Sequence, residues 1–287
     1  MKTRINTAKP PREIKRIGIL FTIVLLPAYG QWLNYPSPGT PRTRDGKPNL
    51  SAPAPRVKGR PDLSGVWQIQ PEPALLAKEQ GAFDVPGDDT RGFSRYFIDV
   101  LADFKPGEEP LRPEAAAALR NRRVTGSTKE HPNARCLPFG LPGTLVLGVP
   151  FRIQQSPVMT LMLFEVENSF REIYTDGRPL PKDPQPAWRG YSIGKWEGDV
   201  FVVDTTGFND RAWLDVSGNT HSDALRMQER YQRRDFGHMD VAVTMDDPKT
   251  FRRPVTIKFS ELLIPDSDVL EYICGENEKD TTHMGLK

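Results

Sequence analysis

From about residue 150 onward, apolar and polar residues alternate with period two in short runs separated by turn formers. That rhythm belongs to half-buried β-strands, whose successive side chains point to opposite faces. Met239, Val241, Val243 and Met245 alternate with Asp240, Ala242, Thr244 and Asp246, and Val255, Ile257 and Phe259 alternate with Thr256, Lys258 and Ser260. The runs predict strands over 151–156, 158–167, 169–175, 188–196, 199–206, 223–234, 239–246, 254–263 and 268–274. Asp176-Gly177, Glu197-Gly198-Asp199 and Gly237 supply turns between several of them. Nine short strands with no helix between them predict a mainly β fold, an antiparallel barrel or sandwich.

Gly65-Val66-Trp67, near the expected start of the folded region at Asp62, resembles the G-x-W start of lipocalin-like barrels. The resemblance implies an antiparallel barrel with an open mouth and a lumen that holds one small ligand. A small N-terminal helical and loop region precedes the strands. Within residues 76–135, Pro113 to about Arg123 reads as the one clear helix. Proline stands near its first turn, Glu114 follows, and Arg120, Arg122 and Arg123 lie toward the negative end of its dipole.

The first thirty residues read as an export signal. Lys2, Arg4, Lys9, Arg12, Lys15 and Arg16 precede the apolar run Ile17 to Leu26, which is shorter than the roughly 20 residues a bilayer span needs. Ala28 and Gly30 place small residues before a cut at Gln31. Residues 31–61 hold seven prolines and predict an extended linker, leaving 62–287 as a single β-rich domain. Removing the first thirty residues takes away six basic and one acidic residue and turns a net charge of +2 into −3. The basic balance therefore belongs to the signal and argues against nucleic acid as a partner. The chain is expected to be periplasmic or secreted, touching the membrane only if the signal stays uncleaved. An exported chain with two cysteines invites a Cys136–Cys274 disulfide.

Residues 223–234 carry the sharpest functional clue. Leu225, Met227, Glu229 and Tyr231 share one face, and Arg226, Gln228, Arg230, Gln232 and Arg234 share the other. Glu229 is thus expected toward the core, where a charge is costly unless paired or put to use. Arg171, on the side of Ile173, is the available partner, and such a pair also occurs as pure structure. Glu165 and Arg171 flank the Glu167-Asn168-Ser169 turn and could face each other across a hairpin. His221 is the side chain best suited to proton transfer, although an extended strand keeps it from touching Glu229. Residues 207–215 mix turn formers with aromatics. They either form a lid that brings Asn209, Asp210 and Trp213 to a ligand, or a packed loop in which Phe208 and Trp213 plug the barrel end. Arg178, in a stiff turn, could clamp an anion or cap an edge.

The histidines show no metal-ligand spacing, there is no C-x-x-C, and G-x-G-x-x-G and P-loop motifs are absent, so no cofactor and no metal are expected. The string Gly190 to Gly194 matches G-x-S-x-G but falls inside the expected strand 188–196, so it is no strand-to-helix nucleophile elbow. The strings D-L-S-G-V-W, C-L-P-F-G, D-G-R-P-L-P, G-Y-S-I-G-K-W-E-G-D, G-F-N-D-R-A-W-L-D, H-S-D-A-L-R-M-Q-E-R and E-Y-I-C-G-E-N-E-K-D resemble a group of uncharacterised secreted bacterial proteins, over Asp62 to Asp280. The resemblance implies export and a shared β-fold, and no reaction. Gly143 stands where that group often carries an arginine. The expectation is an exported barrel whose lumen binds a small organic molecule. Any chemistry would be cofactor-free acid–base work of a lyase, isomerase or hydrolase. Glu229 or His221 would move the proton, and Arg171 or Arg178 would hold an anionic group. The alternative is a non-catalytic ligand-binding or envelope interaction protein.

Overall fold

The computed structural model describes residues 35–70, 98–105, 107–125 and 130–275. The expected export signal lies outside these residues. Nine strands close into a barrel: β3 (Gly65–Gln70), β4 (Phe151–Gln155), β5 (Met159–Phe164), β6 (Ser169–Tyr174), β7 (Tyr191–Glu197), β8 (Val200–Thr206), β9 (Arg226–Arg233), β10 (His238–Asp246) and β11 (Val255–Leu263). Two short strands, β1 (Arg56–Val57) and β2 (Arg60–Pro61), form a separate hairpin.

The two-residue rhythm explains the wall. Along β9, β10 and β11, buried and more exposed positions alternate without a break. Met227, Glu229 and Tyr231 point inward as their spacing predicts, with Leu225 buried just ahead of the strand. Trp67, Phe151, Met162, Ile173, Phe201 and Met239 are fully enclosed and fill the interior. A barrel of this size has an interior that side chains can occupy completely.

One junction departs from the expected antiparallel pattern. β6 and β7 run parallel and share only the pairs Ile173–Ser192 and Tyr174–Ile193, whereas β10 and β11 share eight antiparallel pairs. Antiparallel neighbours need only a tight turn, but parallel ones require the chain to travel back. Residues 175–190 make that return, and Ala187 bridges Phe208 along the way. A lipocalin-type barrel has eight antiparallel strands; this one has nine and a parallel seam.

Helix α1 (Pro113–Thr125) forms where proline, Glu114 and the alanines predict it, with Arg122 and Arg123 in its last turn. The short helix α2 (Gly143–Val146) is buried throughout. A Cβ at Gly143 would lie 3.2 Å from the Trp213 carbonyl oxygen, a tighter approach than ordinary contact.

Two expectations about the chain's outer segments are corrected. The proline-rich stretch is not a free tether over residues 35–61. The Leu50 and Ala52 carbonyls accept from the Gly237 and Phe236 amides at 2.8 and 2.7 Å, and Arg42 forms a two-pronged pair with Asp266. Its prolines limit regular structure to the short β1–β2 hairpin but do not prevent docking. Residues 268–274 form no strand. The Leu270 and Tyr272 amides donate instead to the side chains of Glu165 and Asn168, both at 3.0 Å. Cys274 then closes a disulfide with Cys136, Cα to Cα 5.6 Å. The C-terminal segment is thus a strap tied to the β5–β6 turn. Among the described residues, no helix is long and apolar enough to cross a membrane.

Candidate functional site

The centre of the barrel holds a polar network built from alternate strand positions. Arg171 on β6 pairs with Glu229 on β9 through two hydrogen bonds, Nη1 to Oε1 at 2.9 Å and Nη2 to Oε2 at 2.5 Å. Its Nε donates to Ser192 Oγ at 3.0 Å and its Nη2 also to Thr205 Oγ1 at 2.8 Å. The Tyr231 hydroxyl donates to Glu229 Oε1 at 2.7 Å. Burial works against the Arg171 charge, but the facing Glu229 outweighs it and holds the guanidinium pKa above its ordinary value. Burial, with the Glu229 charge beside it, raises the Tyr231 phenol well above its usual range.

Every oxygen of Glu229 is therefore engaged, and the residue is 0 % exposed. Arg171 is the neutralising partner the sequence offers. Glu165 is not part of the group. The strand register sets Met162 opposite Arg171, and the turn starts at Val166, so Glu165 falls outside the paired strands and binds the C-terminal strap.

Two interior residues escape the sequence reading. Glu261 on β11 is 0 % exposed, and neither carboxylate oxygen has a hydrogen-bond partner among the described residues. Burial pushes its pKa well above the usual carboxylate range and so favours the protonated form. Its position was legible: it continues the inward series Val255, Ile257, Phe259. Arg233 continues the inward series of β9. Its guanidinium is held by the backbone carbonyls of Asp62, Asp235 and Phe236 and lies over the Trp67 ring at 4.9 Å. Burial lowers its pKa to about 10.

The barrel has an open mouth where β4 and β6 end and the β7–β8 hairpin turns. A cavity of about 800 Å³ occupies it. Inward-facing Thr160, Gly194 and Trp196 line its wall, and the β1–β2 hairpin brings Lys58 and Arg60 to its rim. Gly194 is required here, because a Cβ would meet the Phe201 ring at 2.5 Å. Lys58 and Gly59 both have positive φ, 50° and 79°, as a tight two-residue hairpin turn demands. Arg56 fixes this hairpin to the β7–β8 turn through two hydrogen bonds to Asp199, at 2.9 and 2.6 Å. Lys58-Gly59 between Val57 and Arg60 was a readable turn signal inside the stretch taken for a linker. Arg171 and Glu229 do not line this cavity.

The 207–222 loop packs at the other end of the barrel, following β8 and preceding β9. Phe208 joins the core and Trp213 is buried against the ring of His131, centroids 4.8 Å apart. This is the plug arrangement. Asp210 is exposed, and Asn209 is buried with its Oδ1 accepting from the Arg211 amide at 3.0 Å. His221 is buried beside Phe208, its Nδ1 2.9 Å from the Ser222 carbonyl oxygen, and its Nε2 has no partner among the described residues. Burial lowers its pKa. Arg178 lies outside, paired with Asp176 and 3.9 Å above the Tyr174 ring, which is edge capping. The sequence candidates thus separate into an enclosed centre, a plugged end and an outer edge. Among the described residues no group of three or more His, Cys, Asp or Glu is placed to hold a metal.

Comparison with protein-family models, with curated proteins and with solved structures finds no match.

Proposed function

We infer that this chain is an exported barrel protein that binds a small organic molecule at its mouth without transforming it. The observation that carries the reading is the cavity of about 800 Å³ above a filled interior. Small-molecule sites typically measure about 300–1,000 Å³ and combine apolar walls with a few polar groups. Here Trp196 and Val57 supply apolar surface, while Thr160 and Gln155 supply hydrogen-bonding groups. The lumen beneath, first expected to hold the ligand, is taken up by side chains.

The binding reading is preferred to acid–base catalysis because the groups for chemistry are not assembled around one space. Glu229 is committed to Arg171 and Tyr231, and His221 is packed at the plugged end. A general base needs a substrate proton within reach. The Cys136–Cys274 disulfide fits an oxidising compartment such as the periplasm or the exterior.

The test is amide chemical-shift mapping of the oxidised chain against a library of small organic molecules. A ligand should shift Thr160, Gly194 and Trp196 and leave Arg171, Glu229 and His221 unmoved. Shifts centred on those last three residues, or a library with no hit at the mouth, would overturn the reading.

A further inference from the structure

The mouth carries more than a volume. Lys58 and Arg60 are exposed on its rim, and neither has a carboxylate within ion-pair distance among the described residues. Their neighbour Arg56, on the outside of the same hairpin, is neutralised by Asp199. Lys195 adds a third cation, shared with Glu197 at 3.1 Å. The acid within the lining, Asp62, spends one carboxylate oxygen on the Ser64 amide at 2.9 Å. The cavity therefore presents a surplus of positive charge on a chain whose expected mature form is net negative. A like-signed cluster in a cleft attracts an opposite charge.

The remaining lining chooses among anions. Gln155 uses its Oε1 to accept from the Leu63 amide at 2.8 Å, which orients its Nε2 as a donor. Thr160 contributes a hydroxyl at the base of the cavity, and Trp196 offers a half-buried ring with Arg60 6.0 Å from its centroid. A simple inorganic anion would leave the amide, the hydroxyl and the indole unused. A molecule with a carboxylate, several hydroxyls and a flat C–H face would engage them all.

We propose that the mouth cavity takes an acidic sugar, with its carboxylate between Lys58 and Arg60 and its ring against Trp196. This rests on the reading of the mouth as the binding site. The carboxylate gains charge-assisted hydrogen bonds from Arg60 and Lys58, the sugar hydroxyls meet Gln155 and Thr160, and the C–H face covers indole. The hairpin carrying both cations is held by the Arg56–Asp199 pair and does not have to be ordered when the ligand arrives.

The experiment titrates the oxidised chain by calorimetry and chemical-shift mapping with galacturonate, its uncharged methyl ester, galactose and inorganic phosphate. Galacturonate should shift Thr160, Gly194 and Trp196, and the ester and galactose should bind about tenfold more weakly or worse, as loss of charged hydrogen bonds implies. Its affinity should fall with added salt. The double variant Lys58→Gln/Arg60→Gln, changed only at exposed positions, should erase the preference for the acid over the ester. An ester that binds as tightly as the acid overturns the charge assignment and leaves the mouth reading standing. Phosphate binding as tightly as galacturonate overturns the sugar assignment. Galacturonate that leaves the mouth residues unshifted overturns the proposal, and the library survey then decides the mouth reading separately.

Discussion

Arg171 and Glu229 meet across the weakest seam of the barrel. The arginine stands on β6, whose backbone holds β7 through only two residue pairs. Its guanidinium reaches past that junction to Ser192 on β7, Thr205 on β8 and Glu229 on β9. A parallel ladder is somewhat less stable per residue than an antiparallel one, and this ladder is also short. The side chain supplies the cross-links that the backbone lacks.

Removing one member of this pair should therefore be severe. Glu229→Gln or Arg171→Met each leaves a buried group without its partner and should cost about 3–5 kcal/mol in urea unfolding. The double change Arg171→Met/Glu229→Leu should cost clearly less than the two single losses combined. Additive losses would show that the two side chains do not act as a unit.

Glu261 should behave in the opposite way. Its folded pKa lies above its unfolded one, so below about pH 4 both states hold the proton and burial carries no ionisation cost. As pH rises, the unfolded chain releases the proton while the folded chain keeps it, and stability falls. Glu261→Leu should raise stability at pH 8 by about 2 kcal/mol or more, the cost of an unpaired buried polar group together with that of keeping it protonated in the folded chain. The gain should shrink toward pH 4. Urea midpoints across that range give the measurement, and a gain independent of pH would contradict the assignment.

His131 governs the acid side. Burial lowers its pKa to about 4, while its Nδ1 accepts from the Asn133 amide at 3.1 Å and caps the turn at Pro132–Arg135. The unfolded chain takes up a proton near pH 6.5 and the folded chain only near 4, so stability is lost as pH falls through that window. The loss amounts to at most about 3 kcal/mol from this residue. His131→Asn keeps a capping acceptor and does not titrate. It should flatten the pH profile between about 6.5 and 4, with the remaining slope reporting His221 among other groups.

Reduction of the Cys136–Cys274 bridge should loosen the strap first. The two cysteines are 138 residues apart, and the chain-entropy argument allows up to about 5 kcal/mol for a loop of this length. In the reduced protein the Leu270 and Tyr272 amides should exchange rapidly with solvent while those of β10 and β11 remain protected. Simultaneous loss of protection in both would mean that the bridge supports the whole barrel.

Most of the wall could be read from the chain because burial on one side of a sheet imposes a strict alternation. The same alternation placed Glu229 and Arg171 inside. It also contained Glu261 and Arg233, but charged residues at strand ends look like the point where a strand leaves the core. The strap was misread because Leu270, Tyr272 and Cys274 keep a two-residue spacing while being held by side chains of a neighbouring turn. The parallel seam has no local signature: residues 175–190 are rich in prolines and read as an ordinary loop, and only the register of β6 on β7 reveals the return path. An open mouth was expected, but its rim residues were missed because Lys58 and Arg60 lie far from most of the barrel strands in sequence, and the stretch around them reads by composition as a linker.

Cys274 comes after every strand of the barrel in chain order. Whether the polypeptide emerges from a ribosome or is threaded through a secretion channel, its sulfur becomes available only once the entire wall has already passed through. Oxidation consequently cannot begin before all nine barrel strands have been made, and the loop that it closes contains eight of them.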